Sequence, residues 1–200
     1  GPIAAEVCGF LGYTIARALT REASTAGTAA EFLELCVKEY LEVVQLSSEP
    51  EGVSELDSKR ILWTLLRKQQ PVGSKERCWD WRDPKGPYIV ETLEARGSCY
   101  NGYPVSAGYF GAYSVDGLAV ALHCVYHTRS FMEAVVRCVN FLGDADSTGS
   151  ICGQLAGAFY GYSEIDPRCV RSLEQWDDRE VALRGALLCV LARDAPAIGL

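Results

Sequence analysis

Residues 28–46, TAAEFLELCVKEYLEVVQL, decide the fold class. Glu31, Glu34, Lys38, Glu42 and Gln45 recur at three- or four-residue spacing, the period of a helix that keeps one side in water. The complementary face, Phe32, Leu33, Cys36, Val37, Tyr40, Val43 and Val44, asks for a core. Thr28 and Glu31 have capping-box spacing, in which a hydroxyl and a carboxylate each satisfy a free backbone group at a helix start. The stretch therefore predicts a helix that opens at Thr28 and buries its apolar side.

The same period extends outward in both directions. A helix is expected from about Ser54 to Arg67, burying Ile61, Leu62, Leu65 and Leu66, with Trp63 beside them. From about 69 to 87 the text becomes QQPVGSKERCWDWRDPKGP, rich in Pro, Gly and charge, and predicts a long loop anchored to the core by Trp79 and Trp81. A short helix follows at 88–96, then GSCYNGYPVSAGYFGAYS, an irregular Gly- and Tyr-rich connector. Helical patterns resume at 115–126, 130–141, from about Thr148 to Gly161, and at 178–193. With no hairpin signature, no strand–helix alternation and no fixed repeat, the expectation is an all-α chain folded as one compact bundle, a single domain over 1–200.

Composition narrows the function classes. Two hundred residues, 48% hydrophobic, suffice for a substantial core. A net charge of −7 with scattered Lys and Arg argues against nucleic acid. No apolar run is read as long enough to span a bilayer, and no leader pattern opens the chain, so a soluble protein with no membrane span is expected. None of the nine cysteines falls into a CxxC pair, which disfavours a zinc ribbon. Cys36, Cys124, Cys138 and Cys189 sit inside apolar helical patterns, where a free thiol acts as a small hydrophobe; an intracellular, reducing compartment is therefore expected.

Chemistry concentrates in residues 141–162, FLGDADSTGSICGQLAGAFYGY. Gly143 permits a sharp turn, Asp144 and Asp146 can face a common point, and Ser147 adds a hydroxyl, a set of hard oxygens suited to Mg²⁺ or Mn²⁺. The competing explanation is an N-cap, since Asp and Ser ahead of a helix satisfy free amides and favour its dipole. His123 and His127 have the i, i+4 spacing of a zinc pair, but the Glu of HExxH is missing, so packed or helix-end histidines are expected. Arg184 and Arg193 read as solvated helix positions.

Gly143-Asp144-Ala145-Asp146-Ser147-Thr148-Gly149, followed by Ile151, Gly153, Ala156-Gly157-Ala158 and Tyr160-Gly161, resembles the signature of the ADP-ribosylglycohydrolase family. SEIDPRCVRSLEQWDD is similar to the family's stretch after its Tyr-Gly, GPIAAEVCGFLGYTIARAL to the helix after its Thr-His element, and YSVDGLAVALHCVYHTRSFMEAVVRCVN to the two helices before the aspartate turn. The resemblance implies an orthogonal helical bundle that holds two Mg²⁺ or Mn²⁺ ions and hydrolyses the glycosidic bond of ADP-ribose on a modified side chain. By carry-over Asp144, Asp146 and Ser147 are metal ligands. Leu142 replaces the motif's first glycine, and Ala145 a position usually Thr or Ser.

The family's other ligand set, a Thr-Asp-Asp cluster, has no counterpart in this sequence, and the likeness covers the latter half of the family's domain. The expectation is a bundle without its N-terminal helices, inactive alone, whose site is completed by a further segment or a protein partner packed on it; no catalytic residue is assigned. Tyr109, Phe110 and Tyr113 are the candidates for lining an ADP-ribose pocket, although apolar packing accounts for them equally well. Expected partners are ADP-ribose or an ADP-ribosylated protein. The alternative is a pseudoenzyme, a structural subunit or interaction module of a larger assembly.

Overall fold

The computed structural model describes residues 1–21, 27–54, 56–97, 99–100 and 103–194. Its helices are α1 (Pro2–Thr20), α2 (Ala29–Val43), α3 (Ser58–Arg67), α4 (Ile89–Arg96), α5 (Ser114–Tyr126), α6 (Phe131–Val139), α7 (Ala145–Tyr160), α8 (Pro167–Asp177) and α9 (Glu180–Asp194). A two-residue antiparallel ladder, β1 (Cys99–Tyr100) with β2 (Tyr103–Pro104), pairs Cys99 with Pro104 and Tyr100 with Tyr103. The protein is all-α around that small ladder. Two compact units, residues 1–164 and 165–200, are described separately.

In the first unit α5 is the central element. Every residue from Val115 to Val125 is buried, as expected of a helix that is apolar on all sides. α1, α2, α3, α6 and α7 pack around it. α7 approaches α6 so closely that a Cβ at Gly149 would lie 2.9 Å from Val139 Cγ1. The predicted capping box opens α2: the Glu31 amide donates to Thr28 Oγ1 at 3.2 Å, and the Thr28 amide to Glu31 Oε2 at 2.8 Å. Leu33, Cys36, Val37 and Tyr40 are buried as the period requires, whereas Val43 is exposed and Leu41 takes its place. α3 starts four residues later than its periodicity suggests, because Asp57 caps it through the Lys59 and Arg60 amides. Ile61, Leu62, Leu65 and Leu66 are buried there, with Trp63 packed against the core's edge.

α1 corrects one expectation. At 19 residues it is long and apolar enough, by length and composition, to cross a membrane. In the fold its Val7, Phe10, Thr14 and Ala18 form a buried stripe, and it packs on α2, α3, α5 and α7. Arg17 holds Glu39 of α2 at 2.9 and 3.0 Å, and the Tyr13 hydroxyl donates to the same carboxylate.

The segment between α3 and α4 is irregular apart from a 3-10 turn at Arg77–Trp79. Its tryptophans are anchors: the Trp81 indole N–H donates to Leu65 O at 2.9 Å and that of Trp79 to Asp116 Oδ1 at 2.7 Å, both rings buried.

The second unit holds α8, which begins at Pro167 under an Asp166 cap, and α9. Asp178 and Arg179, at φ 47° and 68°, break the helical pattern between them, so α9 starts at Glu180. Arg184 is exposed and pairs with Glu180 one turn away; the side chain of Arg193 lies outside the described residues.

Candidate metal-binding turn and the cleft beside it

The aspartate turn is built from two backbones that cross almost in contact. After α6, Leu142 and Gly143 are both left-handed, at φ 63° and 67°. The Asp144 amide then donates to Phe110 O at 2.7 Å, which latches the turn to the segment before α5. A Cβ on Gly143 would lie 2.7 Å from Phe110 N and nearer still to its carbonyl oxygen. Gly111, at φ 103°, faces the same junction, where a Cβ would strike Thr148 Cγ2 at 2.6 Å. Only glycine fits either place, since a side chain would bring both positive-φ strain and collision.

α7 begins at Ala145, three residues before the periodicity suggests, so Asp146 and Ser147 occupy its first turn. Thr148 locks that turn by donating both its amide and its hydroxyl to Asp144 O, each at 3.0 Å, from a buried position. Asp146 and Ser147 are exposed and Asp144 is half-buried. Thr28, Asp57, Ser130 and Asp166 each accept a helix amide at their caps, whereas the Asp144 side chain makes no cap bond. The Asp146 carboxyl is held below the usual range by hydrogen bonding with Asp144, then with the Ser147 amide and its own. The dipole of α7 favours negative charge at this end.

At the N-terminal end of α5, where Tyr113 precedes the helix, lies a cleft of about 450 Å³ whose lining includes Arg60, Lys68, Glu76, Trp79, Arg96 and Tyr113. Its floor is a buried ion pair. Asp116, fully buried on α5, accepts from Arg96 at 2.5 and 2.9 Å and from the Trp79 indole, while the Thr92 hydroxyl receives the Cys78 amide at 2.9 Å. A buried carboxylate requires such partners.

The sequence model of the ADP-ribosylglycohydrolase family matches residues 1–196. The chain belongs to the ADP-ribosylglycohydrolase family. Over 85 residues it is 36% identical to the ADP-ribosyl-[dinitrogen reductase] glycohydrolase of Rhodospirillum rubrum, covering 42% of this chain and 29% of that protein. It is 41% identical over 61 residues to the ADP-ribosylarginine hydrolase Tri1 of Pseudomonas putida, 30% of this chain and 16% of the relative. The Tri1 of Serratia proteamaculans is 43% identical over 53 residues, 26% of this chain and 14% of the relative. Each match thus spans less than a third of the relative's length. No solved structure matches.

Within this glycohydrolase fold the three candidate ligands lie together on one turn. Two carboxylates and a hydroxyl are hard donors of the kind Mg²⁺ and Mn²⁺ take, so the donor chemistry fits. Among the described residues no group of three or more His, Cys, Asp or Glu is arranged to hold a metal.

The three aromatic candidates separate. Tyr113 lines the cleft, and burial, followed by the charge of Asp116, pushes its phenol up. Phe110 has its ring in the core and offers the turn its backbone, while Tyr109 is half-buried.

The histidines hold the loop. His123 Nδ1 and His127 Nε2 both contact Trp81 O, at 3.1 and 3.2 Å, and Arg137 donates to His123 Nε2 at 2.9 Å. Burial, then the charges of Arg137 and His127, lower the His123 pKa to about 4, so the ring is neutral at pH 7 and donates through Nδ1.

Asp116 and Arg96 are the site residues that sequence reasoning missed. The available signal was one acid inside the otherwise apolar SVDGLAVAL, which calls for a cation or a donor.

Proposed function

We propose that this chain binds Mg²⁺ or Mn²⁺ at Asp144, Asp146 and Ser147 and serves in hydrolysis of the glycosidic bond between ADP-ribose and a modified side chain. Two Tri1 relatives carry the name ADP-ribosylarginine hydrolase, which makes arginine the favoured acceptor. One observation carries the reading: the Asp144 carboxyl makes no cap bond and meets Asp146 at an exposed helix end. An N-cap at Asp144 would instead have its carboxylate accept an amide from the first turn of α7.

Under this proposal each residue has a task. Asp144 and Asp146 supply negative charge, and Ser147 a neutral oxygen, to a cation completed by water and by donors outside the described residues. Held by Asp144, Asp146 and Ser147, a divalent ion would supply Lewis-acid chemistry toward the ribose hydroxyls and water. Tyr113 provides a ring face for the adenine, and Arg60 and Lys68, which line the same cleft and share Glu49 as a partner, would turn to the diphosphate. Arg96 stays committed to Asp116 and shapes the floor. Cleavage adds water across the bond from the anomeric carbon to the guanidine nitrogen and gives ADP-ribose and free arginine. Positive charge developing on the sugar is stabilised by the adjacent carboxylates.

The test is a melting series. Mn²⁺ at about 100 times its dissociation constant adds roughly 2.7 kcal/mol, a shift of several degrees, and Asp146→Ala removes it. A wild-type melt unmoved by Mn²⁺ defeats the reading. Because no group of three metal-binding side chains is found among the described residues, a second outcome is a pseudoenzyme that binds Mn²⁺ and ADP-ribose without turnover; single-turnover assays with ADP-ribosylarginine distinguish the two.

A further inference from the structure

We propose that the groove on the α4 side of the aspartate turn binds the arginine side chain that carries the modification, with Glu94 as its anionic partner and Leu142 as its apolar wall. The proposal rests on the arginine reading above. The groove measures about 590 Å³ and runs between α4 and the end of α6, with Leu93, Glu94, Phe141, Leu142 and Gly143 in its lining. Gly143 is the residue before Asp144, so the groove reaches the base of the aspartate turn.

Three observations specify the occupant. Glu94 is the only charged residue in the lining, is exposed, and has no ion pair or side-chain hydrogen bond among the described residues. Leu142 holds φ 63° while 71% exposed, so neither burial nor backbone preference accounts for a leucine there, and glycine would occupy the position without strain. Strain of this kind clusters at ligand clamps and other functional sites. Val90, at 67% exposure, adds to the same apolar lining. An unpaired carboxylate within an apolar wall matches a flat cation on a three-methylene stem, which is arginine. The guanidinium N–H groups not bonded to ribose would donate to Glu94.

The experiment titrates the full chain with Nα-acetylarginine methylamide and with its neutral citrulline analogue, following Val90 and Leu142 methyl resonances. The arginine probe is expected to saturate shifts at those methyls, and the citrulline analogue to leave them unmoved. Glu94→Gln is expected to weaken the probe tenfold or more while leaving the Mn²⁺-induced melting shift intact. Leu142→Gly, relieved of strain, is expected to melt roughly 2 °C higher and yet to bind the probe more weakly, a pair of signs that a merely structural leucine would not give. Probe binding that Glu94→Gln leaves unchanged, or methyls that ignore the probe while Mn²⁺ still raises the melt, overturns the groove assignment and spares the metal reading. Saturable binding without any Mn²⁺ response does the reverse. A fall in the melting temperature of Leu142→Gly overturns the strain argument.

Discussion

Gly143 fixes where the two aspartates stand. Its missing side chain lets α7 begin against the Phe110 backbone, and its positive φ turns the chain from α6 into α7. Gly143→Ala therefore meets a collision and conformational strain together, and a loss of about 3 kcal/mol or more is expected in urea unfolding. Its Mn²⁺ response should vanish even at temperatures where the variant remains folded. Asp116 is a residue of a different kind. Removing its charge takes from the largely buried Arg96 guanidinium its anionic partner, so Asp116→Asn should cost about 3 kcal/mol and alter the fluorescence of Trp79, whose indole it holds. The aspartate turn was legible in the sequence because its donors are contiguous. The pair of Asp116 and Arg96 was not, because twenty residues and an irregular connector separate them.

Helix α2 shows how far local code reaches. Its capping box is written within four residues and is present in the fold, so Thr28→Ala should cost about 1 kcal/mol and speed amide exchange in the first turn of α2 relative to its last. The start of α7 was set differently. Periodicity begins it near Thr148, but the Asp144 amide is drawn to Phe110 O and Thr148 reaches back to Asp144 O, which winds three further residues into the helix. This tertiary latch turns a string of polar residues ahead of a helix into its exposed first turn. The apolar length of α1 likewise looks the same for a membrane span and a bundle helix; which side is buried is decided by the neighbours it meets.

At the scale of the molecule, stability should fall on acidification because His123 joins α5, α6 and the Trp81 loop while neutral. Its folded pKa of about 4 lies below the unfolded value of 6.5. Above pH 6.5 both states are neutral there and its contribution is complete. Between pH 6.5 and 4 the unfolded chain takes up a proton that the folded chain refuses, and stability declines by about 3 kcal/mol. Arg137 and His127 oppose that proton, and Asp83 favours it weakly. Urea titrations across this window should show the loss, and His123→Gln should flatten it. By itself the sequence determined the all-α class, the capping box of α2, the anchoring tryptophans and the family, because each is carried by residues close together along the chain. Only the tertiary structure decided that Asp144 leaves its cap unmade, that Tyr113 and Arg96 line one cleft, and that Leu142, at positive φ, lines one groove with Glu94. Those relations lie between segments distant in sequence, and packing forces, rather than local preference, set their geometry.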